Sequence, residues 1–246
     1  MRTANPVLGE RTFERSRFEP MARDAMTVNG TVNKTLLLLV LLTASSAWTW
    51  SMAAAGQAIV GPLVVGGLIG GLVLGMATAF VPRWSPVTAP IYAVCEGLFL
   101  GAISAIINQA QPGIAPQAVA LTFGTLFCLL AAYRSGLVRA TENFKLGVVA
   151  ATGAICVVYL ISLVLSLFGV RFPFIHDAGP IGILFSLGVV VVAALNLVLD
   201  FDFIEQGARA GAPRFMEWYG AFGLLATLVW LYLEILRLLS KLNSRG

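Results

Sequence analysis

The sequence predicts an all-α membrane protein with seven transmembrane helices. Three observations lead there. Of 246 residues, 58% are hydrophobic and 11% are charged, whereas a soluble domain carries about 25% charged residues. Seven apolar runs are each long enough to cross about 30 Å of hydrocarbon at about 1.5 Å per residue. Lys and Arg keep to the chain ends and the links between runs, which is where a polytopic membrane protein carries them.

Taken in order, residues 1–33 form a polar tail, predicted cytoplasmic and partly disordered. Its five arginines are mixed with Glu10, Glu14, Glu19 and Asp24, so it is too long and too acidic for the charged start of a signal peptide. The transmembrane domain covers 34–241. The first span is about 35–55, with Trp48 and Trp50 as interface anchors. The second, about 58–80, follows a short Gly56-Gln57 link. Pro86 and Pro90 open the third, about 88–109, at positions that suit a helix's first turn. The fourth is about 116–133, and the polar link after it carries Arg134, Arg139, Glu142 and Lys145. The fifth is about 146–169, the sixth about 181–201 and the seventh about 217–239. Residues 242–246 form a short C-terminal tail.

Twelve of the 16 Lys and Arg fall on one side if the spans alternate, and that side includes the N-terminal tail. The bias predicts a multi-pass protein of the cell (cytoplasmic) membrane with its N-terminus in the cytoplasm. Arg237, Lys241 and Arg245 run against it. They leave open a six-span arrangement in which the last apolar run is re-entrant.

Small residues recur at helical spacing. The second span contains Gly66-xxx-Gly70 and Gly67-xxx-Gly71-xxx-Gly75, and the third Gly97-xxx-Gly101. This spacing lets helix backbones approach closely. It makes no phosphate loop, because no Lys-Ser/Thr pair follows. Cys95, Cys128 and Cys156 each lie in an apolar run and form no CxxC pair, so they read as small buried apolar residues.

The motifs of soluble enzymes are missing. The single histidine, His176, sits in a loop beside Asp177 and reads as a solvated pair. There is no HExxH, no GxSxG elbow and no Walker A or Rossmann signature. The chain is predicted not to be an enzyme, to need no cofactor and to bind no nucleic acid.

What remains is a set of acids in or beside hydrocarbon: Glu96, Asp200, Asp202, Glu205 and Glu234. A charged carboxylate at mid-membrane costs roughly 2.5–3.5 kcal/mol on insertion scales. A cation partner, a shared proton, a water-filled cavity or a bound cation must offset that. Asp200 and Asp202 lie about 200° apart around a helix, so they face different surroundings. Glu205 has Arg209 at i+4 and reads as solvated surface charge. Glu234 has Arg237 at i+3 and either pairs with it locally or faces the protein interior. Glu96 has no basic neighbour in sequence, which suits a neutral hydrogen-bonding role or a place on an ion pathway. Two carboxylates close together in a dry site titrate as a unit, and can sense pH, take Ca²⁺ or pass a proton.

The stretch Leu199-Asp200-Phe-Asp202-Phe-Ile204, with Leu231-Tyr-Leu-Glu234-Ile-Leu-Arg237 and Glu96-Gly-Leu-Phe-Leu-Gly101, resembles the Bax-inhibitor-1 family, which includes bacterial YccA-like proteins. The resemblance covers about 35–240. It implies a seven-helix fold whose last helix is central, with two three-helix layers around it. It also implies a pH-sensitive Ca²⁺ leak channel, gated by a hydrogen-bonded pair of acids on the sixth and seventh spans. Those positions match Asp200 and Glu234, with Asp202, Glu96 and Arg237 as secondary candidates. This chain departs from the pattern in three ways. Its seventh-span acid is Glu and not Asp, Asp202 lies beside the first acid, and the link between the last two spans is longer. The partners implied are the lipid bilayer and Ca²⁺ or protons. A rival reading is a non-transporting interaction protein that modulates a membrane protease or a stress response through another membrane protein.

Overall fold

The structure is a computed structural model and describes residues 25–169 and 179–244. Most of the tail, together with His176 and Asp177, lies outside the described residues. Seven long helices follow one another: α1 Val28–Ala54, α2 Val60–Phe80, α3 Ser85–Ala110, α4 Ile114–Arg134, α5 Glu142–Leu167, α6 Pro180–Arg209 and α7 Met216–Asn243. One short 3-10 turn, Pro82–Trp84, joins α2 to α3. All seven are long and apolar enough to cross a membrane. The last run is one unbroken helix of 28 residues, which removes the re-entrant alternative.

Local chemistry sets the ends. The Thr27 hydroxyl accepts the Gly30 N–H at 2.9 Å and caps α1, an arrangement that satisfies an otherwise orphaned helix donor. Pro180 stands in the first turn of α6, where its missing N–H costs nothing. Gly113 (φ 86°) opens α4 and Gly211 (φ 65°) turns the chain between α6 and α7, a backbone region that favours glycine.

Two helices run furthest past the predicted spans. α1 starts at Val28, and α6 continues to Arg209. Hydropathy marks where hydrocarbon ends. A helix goes on into water wherever its side chains find partners, so Asp202 and Glu205 stand on a helix and not in a link.

The last helix is the centre. It packs on α1, α3, α4 and α6, and 56% of its most apolar window is buried, against 6% for α5. One core cluster joins Leu197 and Phe201 of α6, Ala118 of α4 and Leu228, Leu231 and Ile235 of α7. A second joins Leu38 of α1, Tyr92 of α3 and Phe222 and Leu225 of α7. The Tyr92 and Phe222 rings meet edge to face at 4.9 Å.

The glycine rows act where helices touch. A Cβ at Gly67 would lie 2.7 Å from the Cys95 carbonyl oxygen, and one at Gly71 would lie 2.6 Å from Glu96 Oε1. A Cβ at Gly101 would strike the Ser46 backbone, so α1 and α3 touch backbone to backbone. Gly66 has nothing within 4 Å and takes no part. The cysteines correct the reading above: Cys128 and Cys156 are exposed on the outer surface, and only Cys95 is half-buried.

Candidate functional site

The acids do not gather in one place. Glu234 sits on α7 and is 2% exposed. Its Oε1 accepts from the Tyr159 hydroxyl of α5 at 2.9 Å and from Arg237 Nη1 at 3.0 Å, while Oε2 accepts from the same nitrogen at 3.1 Å. Arg237 Nη1 also donates to the Tyr159 oxygen at 2.6 Å, and the guanidinium lies 5.2 Å from the Tyr159 ring centroid. Glu234 therefore makes the local i+3 pair with Arg237, and a tyrosine from another helix closes the group.

Asp200 sits on α6 and faces α7. Its Oδ1 lies 3.9 Å from where a Gly223 Cβ would be, and Thr227 is its polar neighbour. Its Oδ2 is buried without a hydrogen-bond partner. Buried polar atoms almost always have a partner, so this oxygen stands out.

Asp200 and Glu234 do not hydrogen-bond to each other, contrary to the pairing that the family resemblance implied. The reason is register. α6 and α7 run antiparallel, joined by residues 210–215. Asp200 lies ten residues before that link and Glu234 nineteen residues after it. The mismatch of nine residues is about 14 Å along the helix axis at about 1.5 Å per residue. The positions of α7 level with Asp200 are Gly223 to Thr227.

The other acids are elsewhere. Asp202 turns outward and pairs with Lys145 at 2.9 Å, as the 200° offset from Asp200 predicts. Glu205 pairs with Arg209 at 2.6 Å, as expected, and also accepts from the Tyr133 hydroxyl at 2.6 Å. Glu96 lies between α2 and α3, in the space that Gly71 leaves, with Tyr92 one turn before it. It joins neither Asp200 nor Glu234.

One buried acid escaped the sequence reading. Glu217, in the first turn of α7, is 2% exposed. It accepts from the Thr27 N–H and hydroxyl, both at 2.9 Å, and forms an ion pair with Lys34 of α1. Met26 N donates to the Ala212 carbonyl at 2.7 Å beside it. Helix periodicity held the signal: Glu217, Gly220, Ala221 and Leu224 form one stripe at spacings of three and four, and all are buried. Lys241, near the other end of α7, is also buried and donates to the Gly182 carbonyl and to Ser186.

The fold and these groups define a seven-span helical membrane protein with carboxylates buried around its central helix. The Bax inhibitor 1 like family matches residues 5–244, and the chain belongs to that family. No curated protein and no solved structure matches it.

Proposed function

We propose that the protein passes a cation, Ca²⁺ foremost, across a bacterial cytoplasmic membrane, with its N-terminus in the cytoplasm, and that protonation of Asp200 and Glu234 governs the flow. The observation that carries this reading is the buried, unpartnered Oδ2 of Asp200 facing α7. A hard oxygen in that state can take a proton or a passing Ca²⁺. Glu234 offers a second station about 14 Å further along the same helix, closed by Arg237 and Tyr159. Family membership supports a membrane role for the bundle.

In this reading the two acids work at separate levels and share no proton. A proton on Glu234 removes the charge that holds Arg237 and weakens the tie from α7 to Tyr159 of α5. An ionised Asp200 draws water or a cation into the contact between α6 and α7 one level away.

The test is Ca²⁺ flux in proteoliposomes across a pH series. Glu234→Gln should show at neutral pH the flux that the wild type reaches at the acidic end. Asp200→Asn should flatten the pH response. Wild-type flux and pH response in both variants would sink the assignment. A silent wild type that co-purifies with a stoichiometric membrane protein would favour the interaction reading instead.

A further inference from the structure

A cavity of about 580 Å³ lies between α1 and α4, with α3 and α7 as its floor. Leu39 and Trp50 of α1 and Pro116 and Phe123 of α4 mark its ends, and Leu228 and Tyr232 of α7 lie at its base. Its volume is in the range of about 300–1,000 Å³ typical of sites that enclose a small ligand.

The lining offers little to water. Thr43 and Thr122 turn their hydroxyls onto the Leu39 and Ala118 carbonyls of their own helices, both at 2.8 Å. Ser104 and Tyr232 bond to each other at 2.7 Å. With four of its five lining hydroxyls already bonded, the cavity has few positions for an ordered water, which needs two to four polar partners. The walls are flanked by exposed apolar residues, Val40 on α1 and Val119 and Leu121 on α4, so the surface around the mouth is one that hydrocarbon covers.

Its dimensions select the occupant. Leu39 to Trp50 is eleven residue steps along α1, about 16 Å of rise. One leaflet of a bilayer offers about 15 Å of hydrocarbon, half of about 30 Å. The slot occupies the half of α1 away from the N-terminal tail and the opening turns of α4, so it runs from one membrane surface to the mid-plane. We propose that it is a binding site for a single acyl chain of a phospholipid, drawn from the leaflet opposite the N-terminal tail. The chain end lies near Leu39 and Phe123, and the ester end leaves between Trp50 and Pro116. The lipid then touches the central helix at Leu228 and Tyr232.

The test uses phospholipids that carry a photoreactive diazirine, in nanodiscs holding the full chain, with labelled residues read by peptide mass spectrometry. A diazirine near the acyl methyl end should mark Leu228, Leu39 or Phe123. One near the carboxyl end should mark Trp50 or Pro116. Leu228 and Tyr232 are 4% and 9% exposed, so lipid that merely surrounds the bundle does not reach them. Ala47→Phe and Ala120→Phe add bulk at exposed lining positions. Either should reduce labelling of Leu228 to background and leave labelling at Val40 intact. An unlabelled base in the wild type overturns the proposal, whether or not a variant folds. Equal labelling of Leu228 in folded rim variants overturns it as well.

Discussion

Replacing Lys34 by Met tests whether the Glu217 cluster holds the central helix to the first. Lys34 is 17% exposed at its side chain and Glu217 3%. The variant leaves a carboxylate in the interior with both Thr27 bonds but without its cation. Breaking a buried pair by removing one partner costs about 3–5 kcal/mol, because the remaining charge is uncompensated. The partial exposure of Lys34 lets some water replace it, so the low end, about 3 kcal/mol, applies. A chain of this size loses about 2–4 °C in Tm per kcal/mol, which gives a fall of about 6–12 °C. Tryptophan fluorescence during heating in detergent reads it directly, since Trp218 lies 5.5 Å from the Lys34 ammonium. The double variant Lys34→Met with Glu217→Gln removes the stranded charge and keeps an acceptor for Thr27. It should recover most of the loss, giving a coupling well above the about 0.3–0.5 kcal/mol expected of independent sites. A fall of less than about 2 °C in the single variant, or a double variant no better than the single, refutes the reasoning.

Other outcomes follow from the same geometry. Tyr159→Phe removes the donor to Glu234 and the acceptor for Arg237; it should lower stability by about 1–2 kcal/mol and displace the pH profile of Ca²⁺ flux, both measured on one preparation. Gly101→Leu must separate α1 from α3 at Ser46 and should cost at least about 1–3 kcal/mol. Gly66→Leu, with nothing within 4 Å, should leave the melting curve unchanged. Asp202→Asn weakens a partly exposed pair with Lys145, and its effect on stability should stay within about 1 kcal/mol.

Much of the fold was legible because hydrocarbon imposes a length on every span. The second span, expected at 58–80, is α2 at Val60–Phe80. The ends of α1 and α6 were not legible. Thr27 bonds to Glu217, and Met26 fills the space beside Gly207, and those are contacts with segments nearly two hundred residues away in sequence. The acids were partly legible. The turn angle between Asp200 and Asp202 separated the inward group from the outward one, and i+3 and i+4 spacing found Arg237 and Arg209. The Asp200–Glu234 pairing came from resemblance and ignored register, which counting from the link corrects. Glu217 opens a span, where an acid looks solvated. Its aromatic neighbours Trp218 and Tyr219 and its place on the buried stripe told the opposite story.

The burial of α7 has a consequence for how the protein is made. The helix that packs along four others and hydrogen-bonds to a fifth through Tyr159 follows all six of its companions among the described residues. A ribosome feeding this sequence into a membrane delivers the outer staves first and the hub last. Until then, the six-helix precursor has its interior faces, including Leu38, Ala93 and Leu197, turned toward lipid or toward an insertion factor. Lys34 also waits without Glu217, 183 positions downstream. Assembly therefore ends with an insertion from within, and a chain arrested before Met216 should remain bound to the insertion machinery as an unfinished ring.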